Sequence, residues 1–181
     1  MGNIPLHPLL VHFPMALVAL LPPAIAVALF LHRKGTLSQR AWWVIAAGFA
    51  LLAVSSLVAL KTGQNEEDRV EQVVAESAIE THEERAELFT WAAGAIFVLS
   101  VLVPLTAAPK LRGALGVGAL VASLALGALG ILVGHSGGSL VYEHGAAAAY
   151  VPSGATTAGG DFGAEDDRGR GRGRGGNEDG D

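Results

Sequence analysis

Histidine is the residue in this sequence that is best suited to chemistry. The chain has six histidines and no cysteine, so thiolate metal sites, iron–sulfur clusters and covalent c-type haem attachment are excluded. Imidazole nitrogens bind haem iron, copper and zinc. The chemistry of the chain therefore depends on which of these side chains the fold brings together. The histidines are His7, His12, His32, His82, His135 and His144.

Four runs without a charged side chain predict the elements that position the histidines. Each run has about the 20 residues that an α-helix needs to cross the hydrocarbon of a membrane. In the whole chain 51% of the residues are hydrophobic and 16% are charged. We therefore predict an all-α, integral membrane four-helix bundle in residues 1–150, surrounded by a lipid bilayer. The predicted spans are residues 13–31, 41–60, 88–107 and 113–133.

The charges between the runs predict an orientation. Arg33 and Lys34 follow the first run, and Lys110 and Arg112 follow the third. Because short basic loops stay in the cytoplasm, we predict a multi-pass plasma-membrane protein with both termini outside. His32 then lies at the inner surface, and the other five histidines lie at the outer surface.

Histidines from three helix ends at one surface predict a cofactor site. We expect haem b there, held by apolar helices and imidazole ligands. The predicted haem-binding residues are His7, His12, His82, His135 and His144. A copper or zinc site is the alternative, and a structural module without a cofactor is another. The predicted metal ligands are His12, His82, His135 and His144.

Two segments beside the spans carry local predictions. Residues 70–78 have apolar side chains at the spacing of one helix face, which predicts a short helix on the outer surface. Three glycines in residues 134–138 predict a sharp reversal after the fourth span. A short extended piece at residues 140–142 would then return His144 to the cluster.

Residues 151–181 differ in composition from the rest of the chain. They are rich in glycine, aspartate and arginine, and no aromatic side chain follows Phe162. Such a segment is too poor in apolar surface to fold alone, so we predict a disordered tail. Its arginine–glycine repeat is a pattern that can bind RNA. The surrounding acids and the predicted outer location argue against that, so we predict that the chain has no nucleic-acid partner.

Four short motifs resemble those of a bacterial family of small four-span membrane proteins, catalogued as domain of unknown function 2231. They are HPLLVHFP, Thr62-Gly63, the histidine of THEE, and GHSGGSLVYEHG, within about residues 4–150. The resemblance assigns no ligands. Similar domains occur joined to Rieske or c-type cytochrome domains, which implies a respiratory or redox context. The residues that match the family motifs are His7, His12, His82, His135, Gly137, Gly138, Val141, Tyr142, His144 and Gly145.

These features lead to one hypothesis, in which the chain is a haem b protein of the bacterial plasma membrane. It would pass electrons between a membrane donor and an extracytoplasmic redox partner, as an electron carrier or subunit rather than a catalyst. Small residues recur along the fourth span. They indicate close packing of helices, either within one chain or between copies of the chain in a homo-oligomer.

Overall fold

The computed structural model describes residues 6–151, and every regular element in that range is helical. The predicted all-α fold is therefore confirmed. The predicted tail, residues 151–181, lies outside the described range apart from Val151. The elements are α1 (His7–Leu10), α2 (His12–Arg33), α3 (Ala41–Gln64), α4 (Glu67–Val70), α5 (Glu76–Leu105), α6 (Pro109–Tyr142) and a 3-10 helix (Ala146–Tyr150).

Four helical segments within residues 6–151 are long and apolar enough to cross a membrane, which confirms the prediction of four spans. Helices α1 and α2 together form the first, and α3, α5 and α6 form the others. Two of them extend beyond their uncharged runs, since α5 begins before Leu88 and α6 continues past Val133. At 1.5 Å per residue α6 is about 51 Å long, so it reaches beyond a hydrocarbon layer of about 30 Å.

The four long helices form a bundle in which consecutive spans are neighbours. Helix α2 packs against α3 and α6, and α5 packs against the same two helices. Because consecutive spans run in opposite directions, the ends of the spans gather at two opposite ends of the bundle. These two ends carry different side chains. We call one the histidine end, with His7, His12, His82, His135 and His144. We call the other the basic end, with Arg33, Lys34, Arg40, Lys110 and Arg112.

The interior of the bundle is closely packed. Ile25, Phe49 and Leu52 are fully buried between the helices. Glycine allows two of the helix contacts, since a Cβ at Gly48 would lie 2.7 Å from a methyl carbon of Leu21, and a Cβ at Gly116 would lie 2.8 Å from a methyl carbon of Leu29. Large apolar side chains also cover the outer faces of the helices, as expected for a surface in contact with lipid.

The predicted reversal after the fourth span is wrong. Helix α6 continues through the glycines of residues 134–138 to Tyr142, so residues 140–142 are helical rather than extended. The chain turns at Gly145 instead, whose φ of 73° is in the left-handed region that favours glycine. A glycine costs a helix about 1 kcal/mol relative to alanine, and packing of α6 on α5 overrides that cost here. His144 consequently does not return to the bundle and is exposed.

The predicted surface helix over residues 70–78 is divided in two. Helix α4 ends at Val70, and the extended backbone of Ala75 redirects the chain into α5. Val74 is nevertheless buried with Ile79 and with Ala146 of the 3-10 helix, and Val70 and Ala78 pack against this cluster, whereas Val73 is exposed. Tertiary packing, rather than one continuous helix face, therefore accounts for the apolar pattern.

Candidate functional site

Two of the predicted site histidines meet at the histidine end. His7 is at the start of α1 and His82 is near the start of α5. Their ring centroids are 6.3 Å apart, and the ring planes are nearly perpendicular at 81°. Both side chains are half-buried. The pair therefore joins the beginning of the chain to the third span.

Helix α3 positions the ring of His7. The Nδ1 of His7 lies 2.8 Å from the backbone oxygen of Ala59. Because a carbonyl oxygen only accepts hydrogen bonds, the Nδ1–H donates in this contact. One turn further along α3, Gly63 leaves room for the ring, since a Cβ there would lie 3.1 Å from the Cε1 of His7.

Helix α6 positions the ring of His82 in a similar way. The Nδ1 of His82 lies 2.9 Å from the Oγ of Ser136, and that hydroxyl donates to the backbone oxygen of Val133 at 3.0 Å. The Ser136 oxygen therefore accepts from the Nδ1–H of His82. Gly137 leaves room for the ring, because a Cβ there would lie 3.0 Å from the Cε1 of His82.

These contacts give both imidazoles the same tautomer. When Nδ1 carries the proton of a neutral imidazole, Nε2 carries the free lone pair. Metal-binding histidines depend on such a second hydrogen bond to fix the ring and raise the basicity of the ligating nitrogen. His7 and His82 therefore each have one nitrogen anchored to the protein and one available to a ligand.

Both histidines lie on the wall of one cavity at the histidine end. Its volume is about 480 Å³, within the usual range of about 300 to 1,000 Å³ for small-molecule sites. Its lining is mainly apolar and comes from all six α-helices and the 3-10 helix. The apolar residues beside the pair include Val11, Met15, Phe89, Val133 and Leu140.

The polar part of the cavity lining is acidic. Glu66, Glu67 and Glu83 contribute to it, and Gln64 donates a hydrogen bond of 2.6 Å to Glu83. Partial burial, and then repulsion from Glu83 and other nearby carboxylates, raises the pKa of Glu67 above its ordinary value. This acidic rim favours neutral or cationic groups over anionic ones.

Glu66 connects three segments at the cavity. One carboxylate oxygen accepts the backbone N–H groups of Leu6 at 2.9 Å and His7 at 3.3 Å. The other accepts the hydroxyl of Tyr150 at 2.6 Å. Burial, followed by this contact with Glu66, raises the pKa of Tyr150 to about 12. Arg69 lies over the Tyr150 ring, 5.5 Å from its centroid.

The remaining histidines lie apart from the pair. His12, His135 and His144 are exposed, and His32 at the basic end lies 3.2 Å from the backbone oxygen of Pro109. In residues 6–151 no group of three or more histidines, aspartates or glutamates lies close enough to hold a metal ion. The structure therefore does not assemble the set His12, His82, His135 and His144.

Several residues of the site are not predicted by the sequence patterns. Ser136 and Gly137 stand inside the GHSGG motif, and a continuous helix through that motif would have placed both against α5. Glu66 and Tyr150 are far apart in the chain and belong to no recognised spacing, so only the fold identifies their contact.

Comparison with known proteins gives one match. A family model described as "Predicted membrane protein (DUF2231)" matches residues 3–149. No curated protein and no solved structure matches the chain.

Proposed function

The chain belongs to the DUF2231 family of predicted membrane proteins, and we propose that it is a haem b protein that serves as an electron-transfer subunit of the bacterial plasma membrane. His7 and His82 are the proposed haem ligands. One observation carries the proposal, which is that two imidazoles whose Nδ1 atoms donate to the protein, and whose Nε2 atoms therefore carry the lone pair, lie on the wall of the same apolar cavity.

The spacing of the pair fits two ligands of one iron. A metal–imidazole bond is about 2.1 Å long when the metal is zinc, and a bond of similar length to iron places two opposed imidazole centroids about 6 Å apart. The observed separation is 6.3 Å. This separation supports the proposal that both rings hold one haem iron.

The lining of the cavity fits the apolar part of haem. Val11, Met15 and Phe89 supply apolar surface for a macrocycle. The two propionate groups of haem are negatively charged, and the acidic rim would repel them. We therefore expect them to lie away from Glu66, Glu67 and Glu83. Bound haem would supply one-electron transfer, while the protein orients the two imidazoles through Ala59 and Ser136 and keeps water from the apolar wall.

The location of the redox partner follows from the charges. The basic end is proposed to face the cytoplasm, which puts the histidine end and both termini outside. The acidic rim then suits an extracytoplasmic partner with a basic surface, because complementary charge speeds encounter. Electrons would come from a donor in the membrane.

The copper or zinc alternative has less support. A protein site for either ion uses three or four ligands, and no such group of histidines and carboxylates gathers within residues 6–151. Haem can be held by two histidines, and His7 and His82 would be those residues. We therefore propose haem b alone.

An optical spectrum of the detergent-purified full chain tests the proposal. After expression with adequate haem, we expect a Soret band, and after dithionite reduction an α band typical of haem b with two histidine ligands. His7→Ala and His82→Ala are expected to lose most of the haem, whereas the exposed His135→Ala and the distant His32→Ala retain it. Colourless wild-type protein, or equal haem content in all four variants, would rule the proposal out.

A further inference from the structure

We propose that Glu66 is a positioning residue that holds His7 in place and closes a lid over the cavity. The lid is the 3-10 helix Ala146–Tyr150. The role of His7 as a ligand rests on the proposed function, whereas the closing of the lid is a property of the protein without haem.

Both oxygens of the Glu66 carboxylate accept hydrogen bonds from the chain itself. The N–H groups at the start of a helix have no partner within that helix, and at α1 Glu66 accepts those of Leu6 and His7. Its second oxygen accepts the Tyr150 hydroxyl at 2.6 Å. Hydrogen bonds to an ionised acceptor are stronger than those between neutral groups. One side chain thus ties the start of α1 to the far end of the lid.

The lid is attached at both of its ends. At its first residue, Ala146 is buried against Val74 and Ile79. At its last residue, Tyr150 makes the hydrogen bond to Glu66 and packs under Arg69. Gly145, with a φ of 73°, directs the chain from α6 into the lid. Ala146, Ala147 and Tyr150 all line the cavity, so the lid forms part of its wall.

The position of His7 depends on the same carboxylate. Its ring is fixed by the Ala59 oxygen through Nδ1, and its backbone is fixed by Glu66. Removing Glu66 would free the backbone of His7 and would leave the lid held only by the packing of Ala146 and the contact of Tyr150 with Arg69, so that the lid opens more often. The lid and the proposed ligand are therefore coupled through Glu66.

Labelling of a single cysteine tests the lid without haem. The chain has no cysteine, so Ala146→Cys introduces a unique thiol at a site that is only 7% exposed. We measure the rate of its reaction with a maleimide in the detergent-purified full chain. Tyr150→Phe and Glu66→Ala are each expected to raise the rate about ten-fold, the effect of losing one hydrogen bond to a charged group.

The controls separate a released lid from a damaged fold. Tyr142→Phe removes the hydroxyl of a tyrosine that is 89% exposed and should leave the rate unchanged. Tyr150→Phe removes one oxygen only, and circular dichroism should show the wild-type helix content in every variant. Glu66→Gln keeps an oxygen that can accept the N–H groups at the start of α1. Its labelling rate should therefore lie between the rate with Glu66 and the rate with Glu66→Ala. Equal labelling of Ala146→Cys with and without Tyr150→Phe would overturn the proposal.

Haem release tests the coupling to His7. Transfer of haem to added apomyoglobin measures the rate of loss, which we expect to be about ten-fold faster in Tyr150→Phe and faster still in Glu66→Ala. An unchanged rate in both variants would overturn the coupling. Wild-type protein that binds no haem would end the proposed function, while the labelling rates would still decide whether Glu66 closes the lid.

Discussion

The imidazole of His7 lies directly against Gly63, so that a Cβ on the glycine would come within 3.1 Å of the ring Cε1. His82 has the same relationship to Gly137, at 3.0 Å. Each ring thus faces a position without a side chain on a neighbouring helix. Both glycines belong to the motifs Thr62-Gly63 and GHSGG, and the contact gives these motifs a steric explanation.

Gly63→Ala and Gly137→Ala are expected to weaken haem binding about ten-fold, because an added methyl in a close-packed site displaces its neighbour. The imidazole must move, and its hydrogen bond through Nδ1 is strained. Titration of the detergent-purified protein with ferric haem, followed by the Soret absorbance, measures the effect.

Gly138→Ala is the matched control, since it stands beside Gly137 in α6 and its Cβ would meet nothing within 4 Å. Alanine also favours the helix by about 1 kcal/mol. The variant should therefore bind haem as the wild type does. Equal losses at Gly137 and Gly138 would contradict the steric explanation.

Ser136→Ala is expected to alter the proposed iron centre through His82. The serine oxygen accepts the Nδ1–H of His82 at 2.9 Å, a contact that makes the ring a stronger donor to a metal. Its loss should lower the affinity for ferric haem about ten-fold and make the reduction potential more positive. Spectroelectrochemical titration measures the potential. Ser139→Ala serves as control, because its hydroxyl donates to Glu143 instead, and an equal shift in both variants would argue against the role of Ser136.

Tyr150 is expected to titrate with a pKa of about 12, above the ordinary tyrosine value of about 10. Because the folded protein favours the protonated hydroxyl, its stabilising contribution is complete below about pH 10 and is lost as the pH rises through about 12. The chain has two tyrosines, so tyrosinate absorbance in Tyr142→Phe reports Tyr150 alone. Adding Glu66→Ala should lower this pKa, and an unchanged value would show that Glu66 does not hold the hydroxyl.

The proposed orientation predicts a difference in labelling between the two ends. Ser38→Cys at the basic end should resist an impermeant maleimide in intact cells, whereas Glu76→Cys at the histidine end should react. Both side chains are exposed in the fold, so accessibility within the protein does not explain a difference. The reverse pattern would place the histidine end in the cytoplasm.

The spans could be predicted from the sequence because hydrocarbon excludes charge over a fixed length. Where the helices end was harder to predict. Lipid no longer constrains α6 beyond Val133, and the glycines there indicate a turn by local preference. Helix α6 nevertheless continues to Tyr142, since packing against α5 outweighs that preference.

The site could be predicted only in part, because periodicity states which end of the bundle a histidine occupies and not which way its ring points. His7 and His12 stand at the same end, yet only His7 turns inward, where the Ala59 oxygen accepts its proton. Contacts such as Tyr150 with Glu66 join residues that are distant in sequence. No local pattern encodes them.

The two histidines stand just outside the uncharged runs, and the cavity that they line reaches between the runs to Met15, Phe89 and Val133 at that one end. A redox group held there would be separated from the opposite surface by nearly the whole hydrocarbon layer, about 30 Å thick. Its electron exchange would then be confined to one side of the bilayer. Such turnover would carry electrons across only a small part of the membrane, so we expect its rate to depend little on the transmembrane voltage.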